Sequence, residues 1–178
     1  QVIENGFIVN DFEIFKKEIK KANSIAYIAD NSGEIVFDKL LIKEIRKKNN
    51  CKIDFFVRGF PIINDATKYD ARLVGIHDLE NVEIKEIVDG FPNTENKELI
   101  DSLEKYDLII SKGQANYECL SEFNANIYFL LITKCPTIAR DLGVEIGESL
   151  IKKQLKTKTI EWRKTKWGKK MRIVIASE

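Results

Sequence analysis

One histidine, His77, and three scattered cysteines, Cys51, Cys119 and Cys135, are nearly all that 178 residues offer of the imidazoles and thiols used by many metal sites and nucleophiles. A single histidine argues against Ser-His-Asp chemistry. Cysteines odd in number, without any C-x-x-C, indicate neither a disulfide framework nor a zinc knuckle, and a reducing, cytoplasmic setting fits them best. No G-x-S-x-G, P-loop or G-x-G-x-x-G occurs, so esterase, nucleoside-triphosphatase and dinucleotide-binding readings lack their minimum residues. No apolar run is long enough to span a bilayer, and no membrane is expected as a partner. No charged segment leading into an apolar stretch follows Gln1, so no secretory signal is visible, and the start reads as internal to a longer chain.

What is present suits one domain with a real core: 44% of the residues are hydrophobic and 32% charged. The formal charge of +1 conceals an asymmetry. Residues 151–178 hold ten Lys or Arg against Glu161 and Glu178, about +8, which leaves about −7 for the first 150 residues. The chain therefore reads as an α/β body over 1–150, followed by a basic C-terminal extension over 151–178.

Along the body, Phe12, Phe15 and Ile19 at helical spacing predict a helix over 11–22, followed by a strand over 25–29. Ile35, Leu40, Leu41 and Ile45 predict a second helix, ending near the Lys47–Asn50 cluster, and Lys52 to Val57 a second strand. A helix from Ala66 to about residue 75 follows, with Asn64-Asp65 at its N-terminal end. Further strands are expected at Val82–Val88, Asp107–Ser111 and Ile127–Thr133, with short helices over 96–106 and from Lys112. Strands alternating with helices favour a mostly parallel sheet covered on both faces, because parallel strands need crossovers.

Four polar motifs then acquire a common address. Asp30-Asn31, Asn64-Asp65, Lys112 with Asn116, and Lys134 all follow expected strands, and in a parallel sheet the post-strand loops collect at one edge. Asp and Asn supply hard oxygen donors without thiolate or imidazole, a set suited to a cation of the magnesium or manganese kind. Lysines and a glycine at a helix entrance beside it suit phosphoryl oxygens. Metal with lysine points to phosphoryl transfer to water.

At these residues the chain resembles the damage-control phosphatase family, the domain of unknown function 89, in its stand-alone archaeal-type form. Asp30-Asn31-Ser32-Gly33-Glu34-Ile35-Val36-Phe37-Asp38 is similar to its signature loop, Asn64-Asp65-Ala66-Thr67 to its second motif, and Lys112-Gly113-Gln114-Ala115-Asn116-Tyr117-Glu118 to its third. Lys134 before Cys135-Pro136 also fits. The resemblance covers roughly residues 5–150. It implies a three-layer α/β/α domain with a Rossmann-like, mostly parallel sheet, and a divalent-metal-dependent phosphatase acting on small phosphorylated metabolites such as sugar phosphates or damaged intermediates. Asp30, Asn31 and Asp65 match the metal ligands, with Mn2+, Co2+, Ni2+ or Mg2+ as the implied ion. Lys112, Asn116 and Lys134 match positions near the substrate phosphate, and Asp30, Asp65 and Lys134 are the candidate catalytic residues. The family form usually carries a helical region ahead of the signature loop, of which only the helix near 11–22 is present. A non-catalytic module that binds metal or phosphometabolite therefore stands as the second reading.

Each motif also has a plainer use. Asp30-Asn31 and Asp65 suit helix caps or Asx turns. Lys112-Gly113 suits a strand exit, and Lys134 a solvated surface. Glu34 and Asp38 complement a helix N-terminus rather than ligate metal. His77-Asp78 suits a turn, and Cys135 has no assigned role. Trp162 and Trp167 among the lysines of the tail would allow stacking on single-stranded nucleic acid, but a solvated tail is the plainer reading and nucleic acid is not an expected partner.

Overall fold

The computed structural model describes residues 6–154 together with two short strands, Thr157–Thr159 and Val174–Ala176. The tryptophans and basic cluster of the tail, on which the nucleic-acid reading rests, lie outside the described residues.

Seven strands form one sheet in the order β1-β7-β6-β5-β2-β3-β4. The five expected strands are β2 (Ser24–Ile28), β3 (Lys52–Arg58), β4 (Val82–Ile87), β5 (Leu108–Lys112) and β6 (Ile127–Ile132), all mutually parallel. Two elements were not expected: the edge strand β1 (Val9–Asn10) and its neighbour β7 (Ser149–Lys153), which runs antiparallel to β6 and across residue 150. The periodicity of β7 is short and fades into the lysines that follow, which is why it escaped notice. The remaining pair, β8 (Thr157–Thr159) and β9 (Val174–Ala176), is a separate antiparallel ladder.

Helices cover both faces. On one face α1 (Phe12–Ile19), α2 (Ile35–Arg46) and α3 (Lys68–Leu73) pack Phe15, Ile19, Ile35, Ile42, Ile45 and Ala71 against Tyr27, Phe55 and Ile110. On the other, α4 (Lys97–Leu103), α5 (Gln114–Leu120) and α6 (Pro136–Leu142) pack Leu103, Tyr117, Leu120, Ile138 and Leu142 against Ile28, Ile109 and Phe129. Each such side chain stabilises the fold by roughly 1.5–3 kcal/mol relative to exposure. The molecule is thus the expected three-layer α/β/α arrangement on a mostly parallel sheet. Among the described residues no helix is long and apolar enough to cross a membrane.

Two sequence expectations are corrected. The buried stripe of α2 is Ile35, Asp38, Ile42 and Ile45, whereas Leu40 stands exposed. A carboxylate replaces an apolar residue on the inner face because it meets partners there. The second correction concerns α3, which starts at Lys68 rather than Ala66. Its cap is Thr67, whose hydroxyl accepts from the Asp70 backbone N–H while the Asp70 carboxylate accepts from the Thr67 N–H, a reciprocal capping box. Asp65 is thereby released from capping.

From β2 the chain moves outward to β3 and β4, then returns to lay β5 on the opposite side of β2. The order reverses between β2 and β5, and in open α/β sheets the crevice beyond the strand carboxyl ends at such a reversal is where ligands bind. Thr67→Ala, which removes the α3 cap, is expected to lower unfolding free energy by about 1 kcal/mol, read from urea denaturation.

Candidate metal and phosphate site

Asp30 leaves the end of β2, and its backbone carbonyl accepts from the Ala66 N–H at 2.7 Å. Asn31 and Asp65 form an isolated antiparallel bridge, and the Ser32 N–H donates to the Asn64 carbonyl at 2.8 Å. These bonds lay the first two motifs side by side although 34 residues separate Asn31 from Asp65. Neither motif caps a helix. The N-cap position of α2 is Glu34, and that of α3 is Thr67.

The third motif closes in from β5. Gly113, at φ +77°, precedes α5, and a Cβ built there would stand 2.0 Å from Asp30 Oδ2. Only glycine allows both the left-handed backbone and this approach of a carboxylate to the main chain. Lys134, after β6, is joined to the same spot through Gln114, whose side-chain oxygen accepts from the Lys134 N–H at 2.8 Å and the Cys135 N–H at 3.1 Å. Asp30, Lys112, Gly113, Gln114 and Lys134 line one cavity of about 680 Å³.

The cations are distributed unequally. Lys112 Nζ donates to Asp38 Oδ1 at 2.8 Å and lies 3.3 Å from Glu34 Oε2, while the Tyr27 hydroxyl donates to the same Asp38 oxygen at 2.7 Å. Burial works against the Lys112 charge, yet Asp38 and Glu34 hold its pKa above the ordinary lysine value. Glu34 and Asp38 are therefore the anchors of Lys112, a more specific role than complementing a helix dipole. Arg58, at the end of β3, is almost fully buried. Its Nε donates to Asp65 Oδ2 at 2.6 Å, its Nη1 to the Gly90 carbonyl at 3.1 Å and its Nη2 to Asn116 Oδ1 at 3.0 Å. The Phe91 ring covers the guanidinium at 4.4 Å.

Asn116 consequently sits elsewhere than expected. It is fully buried, and its amide donates to the Ala29 carbonyl at 3.0 Å and the Lys112 carbonyl at 2.7 Å. With both ends engaged it braces the site from beneath instead of facing substrate. Asn31 and Asp65 likewise do not line the cavity, although they adjoin Asp30. Sequence reasoning missed Arg58 and Gln114. A charged residue closing the apolar run Phe55-Phe56-Val57 is the available signal for the first, and Gln114 lies within the third motif.

Asp30 is the exception in this charge arrangement: among the described residues no lysine or arginine forms an ion pair with it. Burial, and then the neighbouring carboxylates Asp65 and Glu34, push its pKa from 3.8 to about 6. Among the described residues there is no cluster of three His, Cys, Asp or Glu groups set for a metal. The oxygen set is two carboxylates and one amide. Asn31 Nδ2 donates to Asp30 Oδ2 at 3.2 Å and Glu34 Oε1 at 3.0 Å, and among the described residues no side chain donates to the amide oxygen. Carboxylates crowded until one resists ionisation, with hard oxygens only, fit a divalent cation of the magnesium or manganese class.

The family model of the damage-control phosphatase ARMT1-like domain matches residues 1–150. A damage-control phosphatase of Archaeoglobus fulgidus is 40% identical over 158 residues, covering 84% of this chain and 52% of that protein. A damage-control phosphatase of Pyrococcus horikoshii is 38% identical over 150 residues, covering 83% and 52%. The crystal structure of a DUF89 family protein from Pyrococcus horikoshii superposes with a TM-score of 0.77 at 35% identity, over 85% of this chain and 54% of that one. The chain spans about half the length of the relatives it matches.

Two measurements probe the geometry. Arg58→Met strands the Asp65 carboxylate and the Asn116 amide oxygen in the interior, and is expected to cost about 3–5 kcal/mol in urea unfolding. Because the folded-state pKa of Asp30 is raised, its contribution to stability is full below pH 3.8 and is lost as pH rises through about 6. In metal-free buffer, Asp30→Asn is expected to be more stable than wild type at pH 7.5 by on the order of 1 kcal/mol, after discounting for solvent screening of a half-buried group, with the gain gone at pH 4. A thermal-melt pH series reads both.

Proposed function

We propose that this chain, which belongs to the damage-control phosphatase ARMT1-like family, carries the site of a divalent-metal-dependent phosphatase of small phosphorylated metabolites. The observation that carries the reading is the unpaired Asp30 carboxylate, set against Gly113 and bracketed by Asp65 and Lys134 at the sheet's reversal point. Asp30, Asn31 and Asp65 would hold the cation through oxygen. When bound, an ion of this class polarises a phosphoryl oxygen and lowers the pKa of water.

The protein's own groups supply the rest. Lys134, exposed at the cavity rim, and Lys112, held upright by Asp38 and Glu34, place positive charge where the phosphoryl oxygens gain negative charge in the transition state. Asp30 or Asp65 orients the attacking water and receives its proton. The P–O bond to the alcohol breaks as the new P–O bond forms, and the departing oxygen takes up, through solvent, the proton that the carboxylate received, giving inorganic phosphate and the free alcohol. Asn116 and Arg58 act one step removed by fixing Asp65 and the backbone at Ala29 and Lys112.

The span of about half its relatives' length favours one further reading, a module that binds metal and phosphometabolite without turnover. Phosphate release from p-nitrophenyl phosphate and a sugar-phosphate panel with Mn2+, Co2+, Ni2+ or Mg2+ separates the two. Asp30→Ala and Asp65→Ala are each expected to lower kcat/KM at least 100-fold, on the order of 2.7 kcal/mol of transition-state stabilisation. Variants as active as wild type would sink the phosphatase reading, and calorimetric binding without any phosphate release would establish the alternative.

A further inference from the structure

The cavity that holds Asp30 and Lys134 is far larger than a phosphate group needs, and its lining is of two kinds. At about 680 Å³ it falls within the range that encloses a whole small organic ligand. Asp30, Glu34, Lys112, Gly113, Gln114 and Lys134 are the polar lining; Phe7, Phe37, Leu130, Leu131, Ile132 and Leu150 are the apolar lining, with Ser149 among them. The two kinds adjoin where Leu130 lies opposite Lys112 in the β5–β6 ladder.

Phe37 links the two kinds of lining. It is 70% exposed in the first turn of α2, one residue before Asp38, which is pinned by Tyr27 and Lys112. The ring is therefore carried on the same helical turn that positions Lys112. Ile132, at 40% exposed, ends β6 two residues before Lys134, and Phe7 is 41% exposed on the same cavity. Three large apolar groups open to water around a charged mouth gain roughly 25 cal/mol for each Å² that a ligand covers. A fully hydroxylated polyol would forfeit that gain and lose water from its hydroxyls without replacement. Within this apolar lining there is one polar point. Ser149, opposite Ile132 in the β6–β7 ladder, is buried, and its hydroxyl has no hydrogen-bond partner.

Resting on the phosphatase reading above, we infer that the apolar wall receives the alcohol portion of the substrate. The preferred substrates are phosphomonoesters whose alcohol carries an aliphatic or aromatic group, and Phe37 is the residue that sets this preference. Ser149 offers such a ligand a single hydrogen bond within that lining.

Calorimetric titration with two non-hydrolysable probes, phenylphosphonate and methylphosphonate, in the presence of Mn2+ tests this without requiring turnover. Wild type is expected to bind phenylphosphonate about tenfold more tightly, and Phe37→Ala to reduce the ratio to within about twofold. Phe37 is exposed, so its truncation leaves the core intact. Equal affinity of wild type for both probes, or an unchanged ratio in Phe37→Ala, overturns the inference while leaving the phosphatase reading in place. Binding of neither probe overturns both.

Discussion

The guanidinium of Arg58 ties together four loops at one sheet edge. It reaches Asp65 beyond β3, Gly90 beyond β4 and Asn116 in α5, and Asn116 carries the link to Ala29 and Lys112 at the ends of β2 and β5. Burying a charge costs several kcal/mol even after relaxation, so this arrangement persists only because each of the three guanidinium nitrogens finds an acceptor and an aromatic ring covers the group. Asp65 thus has one oxygen committed to Arg58 and its orientation fixed, while the chain at Ala29 is held so that Asp30 emerges against Gly113. The position of the carboxylates follows from this buried contact more than from the loops that bear them.

A second consequence concerns charge. Seven ionisable side chains meet at this edge: Asp30, Glu34, Asp38, Asp65, Arg58, Lys112 and Lys134. Arg58 is taken up by Asp65, and Lys112 by Asp38 and Glu34. What is left is a carboxylate, Asp30, whose ionisation its neighbours oppose, and an exposed lysine, Lys134. An anion and a cation that face one cavity without satisfying each other are poised for a ligand carrying both signs, and a metal ion with a phosphate is such a ligand.

Much of the architecture was legible because its signals are local. Apolar runs such as Ile25–Ala29 and Ile127–Ile132 declare buried parallel strands, and their alternation with helices limits the fold to covered sheets. The readings failed where tertiary partners overrule local pattern. Leu40 belongs to the apolar set by composition, yet Asp38 takes the inward position because Tyr27 and Lys112 await it. Asp65 resembles a helix cap until Thr67 and Asp70 cap α3 between themselves. Strand β7 has too short a pattern to stand out, and it forms where both β6 and β1 offer it a ladder.

By itself the sequence determined which residue types follow the strands: oxygen donors at Asp30, Asn31 and Asp65, lysines at 112 and 134, and glycine at 113, each placed after a strand by periodicity and turn composition. Those are properties of residue type and spacing, and no folded partner is needed to read them. Which of these side chains face the cavity was decided by the tertiary structure alone. Asn116 and Lys112 match the same motif, yet one is sealed beneath the site and the other stands at the cavity wall. That division depends on Arg58, Asp38 and Glu34, distant in sequence and brought into range by strand order. Distance across a sheet edge is fixed by topology, and a single chain of letters does not contain it.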